Sequence, residues 1–228
     1  MDRLRGGLIV SCQAETGTPL GAPGVLAALA AAAVRGGAAG IRANGPDNIA
    51  AITRAVDVPV IAIYKVVSPG SEVYITPTFE DARAVHAAGD PPPAIVAFDA
   101  TGRRRCDAGE WRTLLGRIRN DLGALAMADV STHAEGIAAA EAGADIVATT
   151  LSGYTAETAG KRSGGPDLEL VRSLATAGVT VICEGRIHTP QLARDALSAG
   201  AFAVVVGTAI TAIDWVTRNY VDRIHNQA

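Results

Sequence analysis

Short apolar runs recur along the chain, at residues 7–12, 40–43, 59–64, 94–100, 125–130, 145–149, 180–184 and 203–207. They are continuously apolar rather than alternating, which marks parallel strands covered by helices. Between them lie stretches with apolar residues on a roughly 3.6-residue period, at 24–35, 47–55, 79–88, 110–122, 134–142, 167–177, 190–199 and 209–225. Several of these are followed by glycine, at Gly36, Gly89, Gly143, Gly178 and Gly200. A helix C-terminus favours a residue tolerant of positive φ there. Eight strand–helix units without a linker or a shift in composition predict a TIM barrel, a single (β/α)8 domain over residues 1–228. An open doubly wound sheet is the competitor, but it usually has fewer strands and a reversal point.

In such a barrel the working residues sit at the C-terminal ends of the strands and in the loops after them. Here those ends are polar: Ser11-Cys12-Gln13, Arg42-Ala43-Asn44, Lys65, Asp99-Ala100-Thr101, Asp129-Val130-Ser131-Thr132, Thr149-Thr150-Leu151-Ser152-Gly153-Tyr154, Glu184-Gly185-Arg186 and Gly207-Thr208. A purely structural barrel has no need to converge so many polar groups at one end.

Composition sharpens one of these positions. The chain has 20 basic residues, 18 of them arginine, and its only lysines are Lys65 and Lys161. An amine kept at the end of a buried strand suggests chemistry that arginine cannot do, because arginine does not give up its proton. A lysine snorkelling from the strand end to water is the alternative. The formal charge is −3 with scattered basic residues, which argues against a nucleic-acid surface. Cys12, Cys106 and Cys183 lack metal or disulfide spacing, which fits reduced thiols in the cytoplasm. Cys12 and Cys183 read as small core residues. The apolar stretches at 7–10 and 25–34 are too short for a signal core or a membrane span.

Three constellations carry candidate chemistry. Glu184-Gly185-Arg186-Ile187 and Val206-Gly207-Thr208-Ala209-Ile210 close strands 7 and 8, where these barrels frequently bind phosphate. Gly185, Arg186, Gly207 and Thr208 are the candidate phosphate contacts. Ordinary strand-to-helix turns with a solvated Arg186 are the alternative. Lys65 and Glu184 lie across the barrel mouth, an acid–base pair suited to moving a proton next to a carbonyl. Arg42 could supply the cation that lowers the lysine pKa. Asp99 and Asp129 could hydrogen-bond sugar hydroxyls, with Thr150 a further substrate contact. Helix capping competes for the stretch from Asp129 to Thr132. His86 and His225 read as surface residues, whereas His133 and His188 could face the mouth. No spacing resembles a metal site or a serine triad. Arg103-Arg104-Arg105 reads as a solvated face, touching an anionic ligand only if its loop folds inward.

The residues at 7–13, 40–45, 71–78, 127–132, 149–155 and 184–187 together resemble the N-acetylmannosamine-6-phosphate 2-epimerase family, from Gly7 to about Thr217. The resemblance implies a TIM barrel that interconverts N-acetylmannosamine 6-phosphate and N-acetylglucosamine 6-phosphate in amino-sugar catabolism, with no organic cofactor and no metal. It implies Lys65 and Glu184 as the catalytic pair, and Gln13, Arg42 and Asp129 as substrate contacts. It puts the phosphate on Gly185, Arg186, Gly207 and Thr208. The chain departs from the family pattern at Val66-Val67-Ser68-Pro69, and at Cys106 where a proline is usual. Competing functions are another phosphosugar isomerase, a Schiff-base aldolase, or a non-catalytic amino-sugar-phosphate sensor. The stripe of Trp215, Val216, Tyr220, Val221 and Ile224 reads mainly as an eighth helix packing on the barrel, with a homodimer surface as the other reading.

Overall fold

The computed structural model describes residues 1–14, 17–105 and 110–225. Eight parallel strands close a barrel in sequence order: β1 (Leu8–Cys12), β2 (Gly40–Asn44), β3 (Val60–Ile63), β4 (Ile95–Asp99), β5 (Leu125–Asp129), β6 (Ile146–Ala148), β7 (Val181–Glu184) and β8 (Ala203–Val206). β8 pairs back onto β1, with Leu8 opposite Val204. The first seven strands are followed in turn by α1 (Pro23–Arg35), α2 (Pro46–Ala55), α3 (Phe79–Ala88), α4 (Trp111–Asn120), α5 (His133–Glu141), α6 (Leu168–Thr176) and α7 (Pro190–Ser198). Their starts are written in the sequence. Proline opens α1, α2 and α7, where a missing N–H costs nothing. Thr78 and Thr132 form capping boxes with Asp81 and Glu135.

Barrel closure reveals an alternation that the continuously apolar strands conceal. Ile9, Ile61, Ile63, Ile95, Met127, Ile146, Ile182 and Val205 form one buried cluster, the barrel interior. Their neighbours Val10, Ile41, Ala62, Val96, Ala128, Val181 and Val204 belong to a second cluster, between strands and helices. The floor is closed by Leu4, held fully buried by a 3-10 turn (Asp2–Leu4). Gly40 makes room for it: a Cβ there would lie 2.6 Å from Leu4 Cδ2 and 3.1 Å from the Pro59 oxygen. At the other end the period-2 alternation carries past the apolar run. It turns Ser11, Arg42, Asp99, Asp129 and Glu184 inward, with Gln13, Lys65 and Thr150 one step higher.

Two expectations at helix ends are corrected. Gly143, Gly178 and Gly200 adopt positive φ, but Gly36 (φ −77°) and Gly89 (φ −80°) do not. The reversal after α1 falls one residue later, on Gly37 at φ 99°. Gly89 is needed for space, since a Cβ there would sit 2.6 Å from Pro93 Cδ.

The eighth helix also differs from the expectation. It is broken at Ala212 (φ −90°, ψ 79°) into α8 (Thr208–Thr211) and α9 (Ile213–His225). The Thr211 hydroxyl donates to the Ser11 carbonyl at 2.9 Å and ties α8 to β1. α9 then runs with no buried residue. Trp215 and Val216 are half-buried, whereas Tyr220 and Ile224 are each 70% exposed and Val221 is exposed. Of the C-terminal stripe, Trp215 packs on the barrel against His188, whereas Tyr220, Val221 and Ile224 do not pack there as expected. Among the described residues no helix is long and apolar enough to cross a membrane.

Candidate active site

A cavity of about 320 Å³ opens at the C-terminal end of the barrel, lined among others by Gln13, Arg42, Lys65, Thr150, Glu184 and Arg186. Its floor is organised by Arg42, which is 1% exposed. Arg42 Nη2 donates to Asp129 Oδ2 at 2.5 Å and Nη1 donates to Asp129 Oδ1 at 3.1 Å. The same Nη1 reaches Glu184 Oε2 at 2.5 Å. The Thr150 hydroxyl lies 2.6 Å from Asp129 Oδ1 and 3.2 Å from Glu184 Oε2, and its one hydrogen can serve only one of them at a time. β2, β5, β6 and β7 are thus tied together by one charged network. Burial alone would favour a neutral guanidine, but Asp129 and Glu184 reverse that and hold Arg42 firmly cationic.

Lys65 lies above this network. Among the described residues it makes no ion pair. Burial against the barrel end pushes its pKa down, and the Arg42 charge adds to that, while Glu184 and Asp129 pull it partly back. Much of its surface still faces the open mouth, so the packed floor beneath it, not full enclosure, is the cause. Glu184 moves the opposite way. Burial raises its pKa, Arg42 opposes, and the Asp129 charge adds to the rise. With Arg42 and Asp129 balancing each other, a neutral amine and a neutral carboxyl leave the site's net charge unchanged. The shifts of both groups run toward that state.

The lysine is held by an unusual loop. Its backbone N–H donates to Asn44 Oδ1 at 2.7 Å, and Lys65 pairs with Ile75 in an isolated antiparallel bridge. Thr76 is fully buried at φ 44°; its hydroxyl accepts from the Tyr64 N–H at 3.0 Å and donates to the Ala97 carbonyl at 2.6 Å. One side chain thereby bridges the tops of β3 and β4 and brings Tyr74 to the cavity wall.

At the β7–β8 side, Gly185 (φ 113°) and Arg186 (φ 56°) turn the chain sharply, and all four candidate phosphate contacts line the cavity. Arg186 is not solvated: it is buried, and donates to the Gly165 carbonyl at 2.9 Å and the Ser152 carbonyl at 2.5 Å. It staples both ends of the loop after β6, with donors left over for a ligand. Gly207 caps α8 without a side-chain hydrogen bond, so the first N–H groups of that helix stay open.

Among the described residues two buried side-chain polar atoms have no protein partner, Arg42 Nε and Gln13 Oε1, and both side chains line the cavity. Gln13 Nε2 donates to Ser11 Oγ at 2.7 Å, which leaves its oxygen for a ligand. Asp129 is not at the cavity surface; its carboxylate is spent on Arg42 and Thr150. Helix capping in its segment belongs to Thr132.

Asp99 is also withdrawn from the cavity. It accepts from the Thr101 N–H at 2.9 Å, the Thr101 hydroxyl at 2.6 Å and Arg103 Nη2 at 2.5 Å. Two of the three arginines are therefore not solvated, while Arg104 is exposed as expected. Arg103 is ion-paired to Asp99, and Arg105 Nη1 donates to the Pro77 carbonyl at 3.2 Å. Of the histidines, His188 lines the cavity, His133 faces Ser173 outside it, and His86 is half-buried rather than on the surface. Cys12 and Cys183 are core residues with thiols pushed up by burial to about 11 and about 12; Cys106 lies outside the described residues. Ser11 and Tyr154, both at strand ends by sequence, line the cavity as well, whereas the Tyr74 side chain was not among the candidate site residues. Among the described residues no group of His, Cys, Asp and Glu is arranged to hold a metal.

Comparison with known proteins points in one direction. Residues 26–226 match the family described as "Putative N-acetylmannosamine-6-phosphate epimerase". A relative from Synechococcus elongatus with the corresponding 2-epimerase name is 46% identical over 224 residues, covering 98% of this chain and 95% of its own. One from Yersinia pseudotuberculosis is 47% identical over 222 residues, covering 97% and 91%. The solved N-acetylmannosamine-6-phosphate 2-epimerase from Clostridium perfringens superposes with a TM-score of 0.91 at 41% identity, covering 97% of this chain and 94% of its own. Thiamine phosphate pyrophosphorylase from Pyrococcus furiosus shares the fold alone, at a TM-score of 0.61 and 14% identity.

Proposed function

The chain belongs to the N-acetylmannosamine-6-phosphate epimerase family, and from that premise we propose that it interconverts N-acetylmannosamine 6-phosphate and N-acetylglucosamine 6-phosphate, with Lys65 and Glu184 as the proton-transfer pair. One observation carries the assignment of roles: an amine with weakened hold on its proton and a carboxyl with strengthened hold line the same cavity. Groups tuned in opposite senses in one site are the signature of an acid–base pair.

The C2 hydrogen is acidic only beside a carbonyl, so the reacting form is the open-chain aldehyde. Neutral Lys65 takes the C2 proton. The C–H electron pair becomes the C1–C2 double bond, and the carbonyl pair moves to O1. Glu184 donates its proton to O1 to give a neutral enol. The enol turns about its C2–C3 bond, the Lys65 ammonium gives a proton to the other face of C2, and the O1 proton goes back to Glu184, so both groups end as they began. Arg42 remains cationic and steadies Glu184 as it ionises. Gln13 and Arg42 orient the sugar and its acetamido group, while Gly185, Arg186, Gly207 and Thr208 hold the 6-phosphate and fix C2 over the floor. Asp129 acts at one remove, through Arg42.

The test is NMR of N-acetylmannosamine 6-phosphate with the protein in D2O. Conversion with deuterium at C2 is the expected result. Binding with no deuterium entering C2 would overturn the reading.

The reading extends to assembly and location. An apolar groove of about 600 Å³ lies between α7 and the β8–β1 seam, lined by Leu8, Pro190, Ala193, Leu197, Val204 and Ile210. The outer helix ring of a (β/α)8 barrel would cover this seam, but α9 has no buried residue and, among the contacts of its rings, meets the seam only through Trp215 on His188. We assign the chain to a homodimer in which each α9 lays its apolar stripe in the other copy's groove, a closed two-fold exchange. Charged sugar phosphates do not cross membranes unaided, which supports a reaction run in the cytoplasm, on the side where such phosphates are made.

A further inference from the structure

We propose that Tyr74 reads the 2-acylamino group of the substrate, and that Asp99 and Arg103 act through it as positioning residues; this rests on the epimerase reading above. The first support is place. Tyr74 lines the cavity that holds Lys65 and Glu184. It adjoins Ile75, the bridge partner of Lys65, and its carbonyl accepts from the Val66 N–H at 2.9 Å. A substituent on the carbon that Lys65 deprotonates therefore lies beside Tyr74. The other tyrosine of the cavity, Tyr154, sits 5.7 Å from the Arg186 guanidinium, at the phosphate end. The third ring, His188, stacks on Trp215 next to that end. Tyr74 is thus the aromatic wall of the lysine end among the described residues.

The second support is rigidity. Arg103 lies over the Tyr74 ring at 5.9 Å. It is fixed by Asp99 Oδ2 at 2.5 Å and by the Thr101 hydroxyl at 3.1 Å. Asp99 is fully buried and outside the cavity, and its other oxygen is filled by Thr101. The Asp99 N–H also donates to the Ile75 carbonyl at 3.0 Å. A buried carboxylate at a strand end is thus wholly committed to holding the Tyr74 segment. Such pre-set walls suit recognition of one fixed group.

The third support is chemistry. Among the described residues the Tyr74 hydroxyl has no hydrogen-bond partner. A phenol offers a donor and an apolar face; an acetamido group offers a carbonyl acceptor and a methyl. A free 2-amino group would offer neither the carbonyl nor the methyl.

The test compares kcat/KM for the N-acetyl and N-propanoyl forms of mannosamine 6-phosphate, with mannose 6-phosphate as competitive inhibitor. Tyr74→Phe is expected to lower kcat/KM for the N-acetyl substrate about tenfold, mainly through KM, the worth of one neutral hydrogen bond. Tyr74→Ala shifts the N-propanoyl to N-acetyl ratio about tenfold toward the larger group. Arg103→Met moves that ratio in the same direction. Inhibition by mannose 6-phosphate, which has no acylamino group, stays unchanged in all three. An unchanged acyl ratio in Tyr74→Ala and Arg103→Met, or mannose 6-phosphate inhibition weakened as much as substrate use in any of the three, would overturn the proposal. Failure of the epimerase reading shows separately, as wild-type protein that never exchanges the C2 proton.

Discussion

Arg42 grips Asp129 at two points inside the barrel, at 2.5 and 3.1 Å, and the pair is almost wholly shielded from water. Glu184 shares the same guanidinium at 2.5 Å. The network therefore has one cation between two carboxylates, and removing either acid redistributes the other.

Asp129→Asn tests this. It keeps the shape but removes one charge and half of the fork. Breaking a buried pair from one side typically costs about 3–5 kcal/mol, so a large fall in melting temperature is expected. The Asp129 charge also helps Glu184 hold its proton. Its loss lets Glu184 ionise more easily, and kcat falls more than KM rises. Thermal melts with steady-state kinetics read both effects. A variant with unchanged kcat would remove Asp129 from the mechanism.

Lys65 separates charge from proton transfer. Lys65→Arg keeps the positive charge but cannot release it, and Lys65→Met loses both. Both are expected to lose about 10²–10⁴-fold in kcat, the range for a positioned base. Neither should disturb the fold by more than about 0.5 kcal/mol, because the amine makes no ion pair among the described residues. Activity retained by Lys65→Arg would show that only its charge matters.

The strand ends led directly to Gln13, Arg42, Lys65, Thr150 and Glu184, because barrel geometry turns every second residue at the mouth inward. The same rule put Asp99 and Asp129 on the interior but could not say what they would meet. That depends on Arg103 and Arg42, which come from other segments and whose reach is not a local property. Tyr74 was illegible for the same reason: it enters the mouth only because Thr76 inserts between β3 and β4. The break at Ala212 was hidden too. The 3.6-residue period runs on through it, and the Thr211 bond to Ser11 that pins α8 joins opposite ends of the chain.

The pH profile follows from the two opposed shifts. Lys65 works as the neutral base, so kcat/KM falls as pH drops through its lowered pKa; that limb lies below the ordinary lysine value of 10.5. Glu184 works as the protonated acid, so kcat/KM falls as pH rises through its raised pKa, above the ordinary 4.5. The result is a bell. The Arg42 charge lowers both pKa values, so Arg42→Gln is expected to carry both limbs to higher pH. Rates measured from about pH 5 to 10 cover both limbs. A profile whose limbs ignore Arg42→Gln would separate the arginine from the proton-transfer pair.

The exposed stripe of α9 sets the last test. Tyr220 and Ile224 present large apolar surface to water, and the groove by Leu197 and Val204 is open and apolar. Sedimentation of the wild type is expected at twice the chain mass of 23.2 kDa. Ile224→Glu puts a charge into the apolar groove and should yield monomer, as should Leu197→Arg from the other side. The two together place opposite charges at one interface and should restore part of the dimer, which neither a folding defect nor an unrelated contact would do. His188 lines the cavity and stacks on Trp215 in the first turn of α9, with 4.9 Å between ring centroids. Unseating α9 therefore loosens the cavity wall, and the monomeric variants are expected to show a raised KM with kcat little changed. A wild type that sediments as monomer, or single variants that stay dimeric, would leave the groove without this occupant.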